Sequence, residues 1–246
     1  MVNGLYTASR GMSNIIAKQD VNSQNLANVN TTGFKLARLI NRTEVSVGRD
    51  DEGQLRQREF QTLSELHTSF EPGPMVKTGN PFDMAIKGKG FFQIDSEDGP
   101  RYTRNGAFSM NGYGELVTLG GRRVLDEEGA PIVFENQNAQ ITLQDDGGLY
   151  SDGKKLGRIA VVDFPQRNQL KYTADGLFSN PDPDGNAPIP VTGAAIGQGF
   201  LEGSNVDPVS TMVNIIADMR NYEADQKAIH AIDETLGKAV NEVGRV

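Results

Sequence analysis

Both ends of this chain carry apolar residues at three- and four-residue steps, and no other pattern in the sequence limits its fold as tightly. At the N-terminal end Leu5, Ala8, Met12, Ile15, Leu26 and Val29 fall on one heptad frame, whose remaining members are the polar Gln19 and Asn22. At the C-terminal end Val209, Met212, Ile216, Met219, Tyr222, Ile229, Ile232, Leu236, Val240 and Val243 recur at the same steps, with Gln226 as the weak point. The start of this second helix is marked by Asn205, Asp207 and Pro208. Asp207 is expected as the N-cap and Pro208 at the first helical position, where a missing N–H leaves no bond unmade. The N-terminal helix would be roughly 45 Å long at 1.5 Å per residue, too thinly apolar to be stable alone. It needs a partner, and the other end of the chain supplies one.

The middle differs in kind. From about Asn80 to Gly203 short β-prone runs ("GFFQI", "RYTR", "AFSM", "ELVTL", "AQITL", "RIAVVDF", "LKYT") alternate with turn dipeptides at Asp98-Gly99, Asn105-Gly106, Asn111-Gly112, Asp152-Gly153 and Asp175-Gly176. The expected fold class is α+β: N- and C-terminal helices forming a coiled-coil-like domain, with an all-β domain inserted between them. The expected divisions are a discontinuous helical domain at 1–35 and 207–246, an extended linker or hairpin at 36–79, and a β-rich domain at 80–206.

Several chemistries are disfavoured by composition. A formal charge of −8 argues against gripping phosphate backbones, which takes clustered Lys and Arg. With no cysteine there are no disulfides, thiolate nucleophiles or Cys-based zinc sites. No run of about 18 apolar residues suits a membrane span, and the first twenty residues lack the apolar core of a secretory signal. Asn180, Asp182, Asp184 and Gly185 imitate the opening of a calcium loop, but Val191 stands where a bidentate Glu is required, so the stretch reads as a polar turn. Gly88, Gly90 and Gln93 do not complete a dinucleotide fingerprint and read as a tight connection between strands. His67 and His230 stand apart from any nucleophile signature, and the carboxylates cluster in turns, where Asp has a local reason to be. No catalytic residue, cofactor or metal site is expected. Two glycosylation sequons, at Asn30 and Asn41, read as chance occurrences. The rivals from other classes are a secreted carbohydrate- or surface-binding β module, disfavoured by an aromatic content of 7% without Trp, and a carboxylate enzyme in the β domain.

The stretch "NLANVNTTGFK" closes the first helix. With Gly33 as the left-handed C′ residue, Val29 takes position C3 and Phe34 position C″, the apolar pair of a Schellman motif. Asn25, Asn28 and Asn30 are then expected to bond backbone groups of the C-terminal helix or of an adjacent subunit.

This stretch, with "GLYTASRGM", "NPFDMAIKGKGFFQI", "RYTRNGAFSMNGYGELVT", "GFLEGSNVDPVSTMVNII" and "RNYEADQKAIHAIDETLGKAV", resembles the bacterial flagellar basal-body rod proteins of the FlgF and FlgG type, over nearly the whole chain. The resemblance implies a structural subunit of the rod that crosses the periplasm and transmits torque from motor to hook. It implies terminal helices that pack with neighbouring subunits, export through the flagellar apparatus without a cleaved signal, and no enzymatic activity. Implied partners are the protein itself, other rod and hook axial proteins, the export apparatus and the surrounding basal-body rings. A length of 246 residues favours the proximal-rod member over the distal one.

Overall fold

The computed structural model describes the backbone of residues 2–49, 55–136, 141–144, 147–173, 175–191 and 193–243, and the side chains of these residues except 2–7, 41–49, 55–64, 236 and 239–243. The chain divides into two compact units, one of Met1–Ala27, Ala37–Ser69 and Asp207–Val246, the other of Asn28–Leu36 and Phe70–Val206.

In the first unit, helix α1 (Val2–Ala27) and helix α2 (Pro208–Val243) accompany a long antiparallel hairpin of β1 (Ala37–Arg49) and β2 (Leu55–Thr68). The hairpin register runs from Ala37 opposite Thr68 to Arg49 opposite Leu55, with one irregularity between Thr43 and Glu44. The expected linker at 36–79 is thus divided: 37–49 and 55–68 pair as a hairpin grouped with the helices, while 70–79 belongs to the β-rich unit and contributes the strand Met75–Lys77. Helix α1 also stops earlier than the heptad implied. Its last residue is Ala27, which leaves Val29 in a turn and puts residues 28–35 in the other unit. The local sequence explains the stop, because Asn28, Asn30, Thr31 and Thr32 offer the backbone side-chain partners that compete with helix. Thr31 donates both its amide to the Asn28 carbonyl (3.1 Å) and its hydroxyl to Asn28 Oδ1 (3.1 Å).

The second unit is built on a six-stranded sheet in the order Lys171–Tyr172, Phe178–Ser179, Arg101–Thr103, Phe91–Ile94, Val161–Asp163, Ile189–Pro190. Smaller pairings surround it, among them Phe108–Met110 with Leu116–Thr118, Met84–Ile86 with Ile196–Gln198, and Met75–Lys77 with Phe200–Glu202. Consecutive side chains of a strand point to opposite faces, and "GFFQI" exploits this. Phe92 and Ile94 enter a core with Met84, Phe108, Leu116, Val124, Leu149 and Ile196, whereas Phe91 joins Tyr102, Val162, Phe164, Leu170 and Phe178 on the other side. Edge-on ring contacts such as Phe92–Phe108 (5.1 Å) and Tyr102–Phe164 (4.7 Å) set the packing of both.

Most of the turn dipeptides lie where the sequence puts them. Asp98-Gly99, Asn111-Gly112, Asp152-Gly153 and Asp175-Gly176 each join antiparallel neighbours. At Asp152-Gly153 both residues have positive φ, +49° and +81°, as a two-residue hairpin loop requires. Asn105-Gly106 is different: a Cβ built on Gly106 would lie 1.6 Å from the Met84 carbonyl oxygen, so this glycine serves a close backbone approach.

Candidate assembly site

In the first unit α1 and α2 pair side by side in opposite directions. Asn22 Nδ2 donates to Asp218 Oδ2 at 2.9 Å, and a Cβ on Gly11 would meet Asp225 Oδ2 at 3.0 Å. The α1 heptad positions Ala8, Met12, Ile15, Gln19, Asn22 and Leu26 are all half-buried. The polar centre of that seam therefore has a partner: Asn22 meets a carboxylate on α2.

Helix α2 divides the residues that the sequence placed on one seam. Tyr222, Ile229 and Ile232 are half-buried, and they share a regular heptad with Thr211, Ile215, Asp218 and Asp225, all buried or half-buried. Val209, Met212, Ile216 and Met219 lie on a different stripe and are 68%, 50%, 52% and 50% exposed, with Val213 beside them at 59%. The expected single seam is therefore two, because steps of three and four can be counted from either of two adjacent starting points on a helix this apolar. Gln226 is exposed. The side chains of Leu5, Leu236, Val240 and Val243 lie outside the described residues.

Asp207 caps α2. Its carboxylate accepts from the Val209 amide (3.1 Å) and the Ser210 hydroxyl (2.5 Å), and its carbonyl accepts from the Thr211 amide (3.0 Å). The Ser210 bond, then the Val209 bond, holds this carboxyl below its ordinary value. Pro208 is the first helical residue. At the end of α1, Asn25 is fully buried. Its Nδ2 donates to the Ala37 carbonyl (2.7 Å) and its Oδ1 accepts from the Ala37 amide (2.9 Å), which fixes the start of β1. The bond expected to the C-terminal helix or to an adjacent subunit is made instead to a residue twelve positions downstream. Asn28 is engaged with Thr31, as above, and Asn30 is exposed.

Within the second unit, the segments that lead out of α1 and into α2 meet. Gly33 has φ +71°, yet it caps no helix: its amide donates to the Glu202 carbonyl at 2.7 Å, and an added Cβ would fall 2.3 Å from the Asn105 nitrogen. The left-handed conformation expected of Gly33 is present, but the Val29–Phe34 closure is not, since α1 has ended six residues earlier. Phe34 is buried and packs edge-on against Tyr172 at 5.5 Å. The Leu36 amide donates to Asn205 Oδ1 (2.7 Å), whose Nδ2 donates to the Glu71 carbonyl (3.0 Å). Asn205 thereby ties the approach to α2 to the exit from α1.

Beneath this contact sits a charge cluster whose members are far apart in the sequence. Lys35, Arg104 and Glu202 are 2%, 3% and 1% exposed. Lys35 Nζ lies 2.5 Å from Glu202 Oε1, which also accepts from the Gly73 amide at 2.9 Å. Arg104 Nη1 lies 3.3 Å from Glu202 Oε2, and the guanidinium stands 5.6 Å from the centre of the Phe91 ring. Burial pushes the Lys35 ammonium below its usual value, with the Glu202 hydrogen bond and charge acting in the opposite direction. Arg104 is lowered by burial too, again opposed by Glu202. No local pattern announces these residues, since "GFK" and "FLEG" read as an ordinary exit and an ordinary strand.

No helix among the described residues is long and apolar enough to cross a membrane. Residues 5–35 match the family model described as flagella basal body rod protein, residues 85–151 that of the flagellar hook protein FlgE/F/G D1 domain, and residues 198–242 that of the flagellar basal body rod FlgEFG protein C-terminal. The chain is 35% identical over 246 residues to the flagellar basal-body rod protein FlgF of Caulobacter vibrioides, covering 100% of both. It is 33% identical over 248 residues to FlgF of Mesorhizobium japonicum, covering 99% of each. It is 34% identical over 257 residues to the rod protein FlgG of Agrobacterium fabrum, covering 94% of this chain and 95% of that one.

Proposed function

Because this chain belongs to the flagellar basal-body rod protein family, whose members are structural proteins and not enzymes, we propose that it polymerises through its terminal helices and passes torque from motor to hook. Its place is the flagellar basal body and its role that of a rod structural subunit. The observation that carries the assembly reading is the α2 stripe of Val209, Met212, Val213, Ile216 and Met219, each at least half exposed. Clustered apolar surface of this kind marks an interaction site. Copies of this chain and of other axial proteins cover it, forming a coiled-coil-like layer of helices. A head-to-tail contact whose rotation does not close extends into a helical filament, and load is then shared by many small interfaces. The further partners are the export apparatus and the surrounding basal-body rings, and the rod crosses the periplasm. The proximal rod is the preferred position, supported by the match to the Caulobacter FlgF over 100% of both chains, against 94% of this chain and 95% of the other for the Agrobacterium FlgG.

The test is Ile216→Asp in the full chain. Purified protein should keep its helical signal and melting temperature, while rods lack the subunit and cells lose motility. Normal incorporation of this variant would overturn the assembly reading, and imaging of intact basal bodies at subunit resolution decides proximal against distal.

A further inference from the structure

The second unit is completed by the last stretch of chain before α2. Ile196 is a core residue at 2% exposure, residues 196–198 pair with 84–86, and residues 200–202 pair with 75–77. Gly203 donates to the Pro74 carbonyl at 2.8 Å, and Gly33 to the Glu202 carbonyl at 2.7 Å. Glu202 is also the counterion of two buried cations that precede it by a long way. The Lys35–Glu202 bond spans 167 residues of sequence. Arg104 is held among backbone carbonyls, Nη2 to Gly88 (2.5 Å) and Nη1 to Ile86 (3.4 Å), so its guanidinium occupies the native interior only where a carboxylate balances it.

We infer that residues 196–205 act as a late latch: the second unit gains stable structure only when Glu202 closes onto Lys35 and Arg104, so a chain presented N-terminus first stays unfolded until almost all of it is available. Loop closure over so long a separation must precede the contacts that reward it, which makes this step slow. The electrostatics sharpen the dependence. Before closure, Arg104 has the Ile86 and Gly88 carbonyls and Lys35 the Glu71 carbonyl, but both lack the Glu202 carboxylate that balances their charge. Closure also joins Leu36, in the segment that follows α1, to Asn205, in the segment that precedes α2. The benefit to a subunit that must travel through a conduit before it assembles rests on the rod reading; the folding dependence itself does not.

The experiment is refolding of the full chain from denaturant with pulse-labelled hydrogen exchange. The reporters are the latch amides Gly33 and Gly203 and the local amides Leu116, Thr118 and Val124, which bond within residues 116–132. All five should gain protection in one phase. Protection of Leu116, Thr118 and Val124 in a phase about tenfold faster than Gly33 and Gly203 would overturn the latch, because local structure would then form without it. In the second arm, Glu202→Gln keeps the shape and removes the charge. It should slow refolding at every reporter by about tenfold or more, whereas an unchanged refolding rate with faster unfolding also overturns the proposal. Neither arm involves rod assembly, so failure of the latch and failure of the rod reading are distinguishable.

Discussion

The interior of the β-rich unit and the outer stripe of α2 use the same kinds of residue and treat them oppositely. Met84, Phe92, Ile94 and Leu116 are fully buried, while Val209, Met212, Ile216 and Met219 stand at least half exposed on a helix that is otherwise well capped. In the first region apolar groups meet one another, and the buried charges of Lys35, Arg104 and Glu202 meet across the chain. The second contains every element of a packed seam except the packing. Fully burying one such side chain is worth about 1.5–3 kcal/mol, so a stripe of five holds a large driving force for association. The contrast separates residues that fold the subunit from residues that join it to others.

The largest effect should come from Glu202→Ala, which leaves Lys35 and Arg104 buried without a counterion. Removal of one partner of a buried pair costs about 3–5 kcal/mol, to be read in denaturant unfolding with reporters in the second unit. Retained stability would mean that water reaches the cluster. Next, Gly33→Ala places a Cβ 2.3 Å from the Asn105 nitrogen at a φ of +71°. The expected cost is about 2–3 kcal/mol, measured in the same way. Asn25→Ala removes both partners of the Ala37 backbone and should destabilise the first unit by about 2 kcal/mol, visible as faster amide exchange at Ala37 and along the adjoining hairpin.

Met219→Ser tests the other side of the comparison. Monomer stability should change by no more than about 0.5 kcal/mol, while incorporation into the rod falls. A loss of monomer stability comparable to Asn25→Ala would show that the stripe is part of the subunit's own core. The smallest effect concerns the helix cap. Asp207 has its pKa depressed in the folded state, so its contribution is present above the unfolded value of 3.8 and is lost as pH falls through the lower folded value. The helical circular dichroism of the wild type should therefore decline slightly across that window, and Asp207→Asn, which still caps but does not titrate, should flatten that part of the curve.

Much of the architecture was legible because its signals are local. Helices at both ends, the cap at Asp207 and Pro208, strands in the seven quoted runs and four of the five turn dipeptides follow from periodicity and from residues that favour one backbone conformation. The failures share a cause. The end of α1 is not readable from periodicity, because the heptad continues through Val29 while the Asn and Thr side chains already draw the backbone out of the helix. Gly33 has the sequence signature of a cap, since positive φ looks the same in sequence whether a helix ends there or a distant segment presses close. Asn25 bonds Ala37 and not α2, a choice made by the direction of the chain after the turn. On α2 the spacing permitted two stripes, and only packing against α1 decided which was buried.

The class of the fold, the two amphipathic ends and the kinship to rod proteins are written in the order of the residues alone. Those features depend on periods of two and of three to four residues, and on the backbone preferences of Gly, Pro, Asn and Asp. Folding in three dimensions adds that Lys35, Arg104 and Glu202 share one interior site, that Gly33 and Gly106 yield space to a crossing backbone, and that the stripe from Val209 to Met219 is left open. Burial and charge pairing between residues far apart in the chain are set by how strands and segments are brought together, and no local pattern encodes that.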